Sequence, residues 1–226
     1  MNIGWNGSPN FSSREGFRVI AIVDHITQGS TPGCIDWLCN PASQASAHYV
    51  VSKAGVITQL VHDADKAWHA GVVKAPSWSL YHGNNPNLYT IGIEHEGLSG
   101  DNLTALQYQA TLWLHRDLMK KFGIPADTEH IIGHYRINSV DKAGCPGLGF
   151  PWVRLMKDLV EGDALLMSTP VTPVTPMVWN GDGYHRAGPV AADDVWLSVR
   201  VPGSKVVEVT GQVNALGYAC RRLELA

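Results

Sequence analysis

The chain has 226 residues, 45% of them hydrophobic and 16% charged, a balance that belongs to a folded chain with a buried core and excludes an intrinsically disordered one. That length admits one enzyme-sized domain plus a small appendage. The formal net charge is −3 with no run of Lys or Arg behind it, so nucleic acid is not an expected partner, and no stretch of about 18 apolar residues offers a membrane insertion.

The opening segment, MNIGWNGSPNFSSREG, carries neither a basic start nor an apolar stretch of the secretory kind, and a protein made in the cytoplasm without a signal peptide is expected. Residues 17–23 read as a strand covered on both faces, whose end delivers Asp24 and His25. Four cysteines, Cys34, Cys39, Cys145 and Cys220, are too few for a disulfide scaffold. Cys34 and Cys39 are close enough for a local bridge, and two buried thiols would look the same. The runs 47–51 and 55–61 flank Lys53-Ala54-Gly55 and suggest a hairpin. A third and central strand is expected over 89–94, followed by His95, Glu96 and Gly97.

Thr104 followed by Gln107 forms a capping-box start, with apolar groups at Tyr108, Leu112, Leu118, Met119 and Phe122 near helical spacing, and Gly123 with Pro125 ends the segment. A short strand over 129–132 leads to His134. Trp152, Leu155, Met156 and Leu159 mark the apolar face of a second helix after Pro151. These elements alternate as an α/β domain over residues 1–161. From Gly162 the pattern lapses into STPVTPVTP, which reads as a Pro/Thr-rich linker over 162–178. Residues 179–226 hold short strands over 195–201, 205–209 and 218–223, a small all-β module. Its Trp179, Tyr184 and Trp196 form either a sugar-stacking surface or the core of so small a unit.

A hydrolytic zinc site takes three protein ligands of nitrogen and sulfur type and leaves one position open. His25 at a strand end, His134 after Ile-Gly and Cys145 before Pro-Gly supply such a set. Each taken singly also reads as a structural residue, a hydrogen-bonded histidine or a small buried thiol. The words around them separate these readings: IVDHIT, SAHYVVSKAGVITQLV, AWHAG, IGIEHEG and IGHYRINSVDKAGCPG occur in this order. Across residues 8–160 the chain resembles the type-2 N-acetylmuramoyl-L-alanine amidases. That family includes the bacteriophage lysozyme-amidases and is similar in fold to peptidoglycan recognition proteins.

The resemblance implies a mixed central β-sheet flanked by helices and a Zn2+ ion held by His25, His134 and Cys145, the third position being one where relatives carry Asp. Glu94, the first Glu of IGIEHEG, matches the acidic residue that handles the proton of the attacking water. Other members place a Tyr just before the His of SAHYVV; here that position is Ala47, which leaves the proton to Glu94. Glu96 lies two residues on, on the same strand face, and the residues alone leave it as a competitor. Lys142 matches the Lys that precedes the third ligand and would stabilise an oxyanion. Ala143 and Gly144 stand between it and Cys145 where relatives have one residue, so a solvated loop charge is the other reading. Trp68 and His69 fall where the family lines its substrate groove, a core indole and a hydrogen-bonded imidazole being the other reading. His48, His95 and His130 are expected to pack or hydrogen-bond within the fold.

The function this implies is zinc-dependent hydrolysis of the amide bond between N-acetylmuramic acid and L-alanine in bacterial peptidoglycan. The setting it suggests is that of an endolysin, a monomer made in the host cytoplasm that acts on the cell wall after release, tethered there by its C-terminal module. The alternative from another class is a non-catalytic peptidoglycan-binding module, as in relatives that have lost the metal site.

Overall fold

The computed structural model describes residues 1–168 and four later strands, and it divides into two units, Met1–Ala164 and Leu165–Ala226. In chain order the first unit contains β1 (Ile3–Trp5), β2 (Phe11–Ser13), β3 (Ala21–Ile26), α1 (Thr31–Leu38), β4 (Tyr49–Val51), β5 (Ile57–Gln59), β6 (Asp65–Ala67), β7 (Thr90–His95), α2 (Ala105–Phe122) and β8 (Ile131–Gly133). The helix α3 (Trp152–Ser168) follows. Six strands form one sheet in the order β1-β5-β4-β7-β3-β8. Only the β4–β5 pair is antiparallel, so the sheet is mixed, as expected. β2 and β6 pair separately.

Alternation along β3 sends Ile22 to one face and Ala21 and Val23 to the other. On the first face Ile22, Ile91, Ile93, Tyr49 and Val51 pack with Tyr108, Leu114 and Leu118 of α2 and Leu155 and Leu159 of α3. On the second, Ala21, Val23 and Ile132 pack with Trp78, Leu88 and Tyr89 from the loops, and Leu38 of α1 packs with Val50 and Leu60. Burying each large aliphatic group contributes about 1.5–3 kcal/mol, which is why the two-sided sheet outlasts its short strands.

α2 begins where its capping box predicts: Thr104 Oγ1 accepts the Gln107 N–H at 3.1 Å and Gln107 Oε1 accepts the Thr104 N–H at 3.4 Å. The Gln107 amide also donates to the carbonyls of Val51 and Glu96, which ties the helix start to the ends of β4 and β7. Gly123, at φ 68°, closes it, a left-handed conformation that costs glycine nothing.

Several expectations shift. The strand expected over 17–23 spans Ala21–Ile26 instead. It continues through Asp24 and His25 because each has a buried partner: Asp24 Oδ2 lies 3.2 Å from His115 Nε2 of α2, and the His25 carbonyl lies 3.0 Å from His95 Nδ1. Cys34 and Cys39 are free thiols. α3 runs to Ser168, so residues 162–168 of the segment expected as a linker are helical. Residues 169–176 lie outside the described residues. In the second unit β9 (Met177–Trp179) pairs antiparallel with β10 (Tyr184–Arg186), and β11 (Val195–Val199) with β12 (Val207–Gly211). The strand expected over 218–223 and Cys220 lie outside the described residues, as do the side chains of Trp179, Tyr184 and Trp196. Among the described residues no helix is long and apolar enough to cross a membrane.

Candidate active site

Three adjacent strands bring the candidate residues together. β3 and β7 are parallel neighbours with His25 in register with Glu94. β8, on the other side of β3, hands the chain to His134 at the start of the short 3-10 turn His134–Arg136. The following loop returns Cys145 to the same place through its carbonyl, which accepts the Tyr135 N–H at 3.1 Å. Gly133 permits this return, because a Cβ there would stand 2.7 Å from Pro146 Cδ and 2.5 Å from the Tyr135 ring.

His25 Nδ1 lies 3.0 Å from His134 Nδ1 and 3.9 Å from Cys145 Sγ, and one donor atom from each of the three falls within 4.8 Å of the others. Around a tetrahedral zinc such nitrogens would stand about 3.3 Å apart, and nitrogen and sulfur about 3.6 Å. The donor types and spacing therefore fit that ion. His134 Nε2 lies 2.9 Å from the Ala70 carbonyl, to which it can only donate, and this leaves Nδ1 with a free lone pair.

The electrostatics point the same way. Burial holds the His25 imidazole well below its ordinary range, with the charges of His134, His69, His95 and Lys142 acting in the same direction, and burial pushes His134 down to about 4. The Cys145 thiol is pushed up to about 12 by burial and then by the Glu94 charge. Burial also pushes Glu94 up to about 7, opposed by the Lys142 ammonium, and its Oε2 is buried without a hydrogen-bond partner. The His134 lone pair, the neutral Cys145 thiol and the Glu94 carboxyl with its unpartnered oxygen make a donor set suited to a cation. A cation there would favour thiolate and carboxylate together.

A cleft of about 580 Å³ opens over this cluster. Its lining includes the seven residues given a site role from the sequence: His25, His134, Cys145, Glu94, Lys142, Trp68 and His69. Lys142 thus reaches the cleft despite its shifted spacing. Ala47 is fully buried beneath Leu38 and Val50. Glu96 is absent from the lining; its carboxylate accepts the Lys53 N–H at 2.7 Å and the Thr31 hydroxyl, and so fastens the start of α1 to the hairpin. Trp68 is half-buried, its indole N–H donating to Ser12 Oγ at 3.1 Å. His69 borders the cleft, but both ring nitrogens are engaged within the fold, by His25 and Thr90. The sequence reading missed the wall supplied by α1 and the turn before it, including Gln28, Cys34 and Trp37. No motif announced it, although Ser30-Thr31-Pro32 is a helix-start signal.

Residues 15–148 match the family model described as N-acetylmuramoyl-L-alanine amidase. The chain is similar to N-acetylmuramoyl-L-alanine amidase A of Achromobacter lyticus, at 32% identity over 169 residues that cover 66% of this chain and 88% of that protein. Among solved structures it is similar to a selenomethionine derivative of AmpD, with a TM-score of 0.59 and 25% identity, covering 69% of this chain and 93% of that one. It is also similar to the endolysin N-acetylmuramoyl-L-alanine amidase LysCS from Clostridium intestinale, with a TM-score of 0.53, 22% identity and coverage of 70% and 95%. That last likeness is one of fold.

Proposed function

The chain belongs to the N-acetylmuramoyl-L-alanine amidase family, and from this we infer that it uses Zn2+ to hydrolyse the amide bond between N-acetylmuramic acid and L-alanine in peptidoglycan. The observation that carries the metal-dependent reading is the convergence of His25 Nδ1, His134 Nδ1 and Cys145 Sγ beside a buried carboxyl group with an unpartnered oxygen.

Zinc held by those three residues would supply the Lewis acidity that acidifies the attacking water and polarises the scissile carbonyl. Glu94 takes the proton of that water on its free Oε2. Burial raises its pKa to about 7 before any metal binds, and the ion would draw it back toward the ionised form that accepts a proton. As the water oxygen bonds to the lactyl carbonyl carbon and the carbon–nitrogen bond breaks, Glu94 returns the proton to the departing amine of L-alanine. Lys142, on the cleft wall, offers its ammonium to the oxygen that gains charge. The exposed part of Trp68 offers an apolar face to the sugar-peptide.

We read the second unit, Leu165–Ala226, as a wall tether and the whole as an endolysin that acts on the cell wall. A tether would raise the enzyme's concentration at its substrate. Deleting residues 163–226 should weaken binding to intact walls, and unchanged binding would remove that reading.

The enzymatic reading is tested by digesting purified peptidoglycan and weighing the fragments. It requires peptide-free glycan strands and free stem peptides that begin with L-alanine. Binding to peptidoglycan without new amino ends would instead make the chain a recognition module.

A further inference from the structure

His69 supplies none of the three donor atoms, yet it touches a residue that does. Its Nδ1 lies 3.1 Å from His25 Nε2 and its Nε2 lies 3.1 Å from Thr90 Oγ1. The Thr90 hydroxyl in turn donates to the Pro86 carbonyl at 2.8 Å. A hydroxyl has one hydrogen, and once it is given to Pro86 only lone pairs remain to face His69. His69 Nε2 must then carry the ring hydrogen, which leaves Nδ1 bare to accept from His25 Nε2–H. That hydrogen bond uses the single hydrogen of a neutral His25 and leaves its Nδ1 as a lone pair aimed at His134 Nδ1 and Cys145 Sγ.

The chain of groups is buried, with Thr90 at 0%, His25 at 2% and His69 at 8% exposure. Neither ring has a carboxylate partner among the described residues, and an imidazole buried without one is held in its neutral form, so the one-hydrogen count applies. The ring lies directly on the bare backbone of β7: a Cβ at Gly92 would stand 2.3 Å from His69 Cγ and 2.6 Å from Nδ1. His69 therefore has a seat on the strand that also carries Glu94.

We propose that His69, oriented by Thr90 and the Pro86 carbonyl, is a positioning residue that locks His25 in the tautomer able to bind the metal through Nδ1. It rests on the zinc reading above. A metal-binding histidine commonly gives its other ring hydrogen to a carboxylate or carbonyl. Here a second imidazole takes that place, and the hydroxyl that sets it belongs to the first residue of β7.

The test is zinc affinity of the full chain, measured by competition with a chromogenic chelator. Melting temperatures of the metal-free proteins and histidine side-chain 15N spectra accompany it. His69→Asn keeps an oxygen acceptor near the Nδ1 position and should bind zinc nearly as the parent does. His69→Gln, whose amide reaches the Nε2 position instead, and His69→Leu should bind about 10–100-fold more weakly. Thr90→Val keeps the side-chain shape but loses the acceptor, and should also weaken binding while moving metal-free His25 away from the Nε2–H tautomer seen in the parent. If His69→Leu fails to fold, Thr90→Val and the parent spectrum decide. Undiminished affinity in Thr90→Val, or a parent His25 that carries its hydrogen on Nδ1, would overturn the proposal. Failure of the parent protein to bind zinc at all would overturn the metal reading, and this one with it.

Discussion

His25 and Glu94 are cross-strand partners in β3 and β7, while the residues beside them, Asp24 and His95, pack on the opposite face of the sheet, Asp24 against His115 of α2. Strand alternation thus sorts four polar residues into two pairs with different work. One pair faces the cleft, where a cation and a proton would be handled. The other is sealed under α2, where Asp24 meets His115 and the His95 ring meets the His25 carbonyl. The closeness of Glu94 to His25 follows from this register, whereas the turn after β8 and the loop beyond it bring His134 and Cys145 to the pair.

Replacing Glu94 by Gln should separate catalysis from stability. The proton transfer is worth about 10²–10⁴ in rate, so activity should fall by that factor. In the folded metal-free protein Glu94 titrates near 7 against an ordinary 4.5, so the unfolded chain releases its proton first. Stability then falls as pH rises from 4.5 to 7 and stays reduced above, by about 3 kcal/mol. Glu94→Gln lacks this penalty, and its metal-free melting temperature should exceed that of the parent at pH 8. Equal melting temperatures there would contradict the burial argument.

At the third donor position chemistry matters more than volume. Cys145→Ala removes a donor atom and should lower zinc affinity at least about 100-fold. Cys145→Asp replaces sulfur by oxygen and should retain one zinc per chain by metal analysis. Equal zinc content in Cys145→Ala would remove Cys145 from the site.

The metal-free protein should be acid-labile. Burial pushes His48 down to about 3 and His134 to about 4, and burial likewise lowers His25, His69 and His95. For each, the unfolded chain gains a proton near 6.5 that the folded one refuses. Their stabilisation is present above 6.5 and lost as pH falls toward the folded values. Glu94 acts oppositely between 4.5 and 7, and His115, which burial lowers but Asp24 raises by more, keeps its stabilisation below 6.5 and loses it only as pH rises, two groups against five. Denaturant midpoints should drop between pH 6.5 and 4, and a flat profile would show that these imidazoles are not buried in neutral form.

Thr104→Ala tests a feature remote from the chemistry. It removes the capping box of α2 and should cost about 1 kcal/mol in urea unfolding, with the rate per folded molecule unchanged.

These features differ in how far they could be read from the chain alone. α2 was legible to its last residue because its signals are local: Thr104 with Gln107 at the start, Gly123 at the end. The cluster of His25, His134 and Cys145 was legible because ordered motifs surround each member. α1 was not, since eight residues containing Gly33 and an exposed Trp37 show little amphipathic period. β1, β2 and β6, three residues each, are too short to carry alternation. The end of β3 was missed because Asp24 and His25 look like strand terminators until His115 and His95 arrive from elsewhere in the chain. The bond from His69 to His25 depends on the bare backbone at Gly92, which no spacing announces.

In the proposed reaction His25, His134 and Cys145 hold the zinc on which amide cleavage depends. The most direct test of that role is the release of new L-alanine amino termini from purified peptidoglycan by the parent protein, by the same protein stripped with a chelator, and by the stripped protein given zinc again. Release that is abolished by stripping and restored by zinc in the parent, but not in Cys145→Ala, is the outcome expected. Undiminished release after complete zinc removal would show that cleavage does not depend on a metal held by these residues.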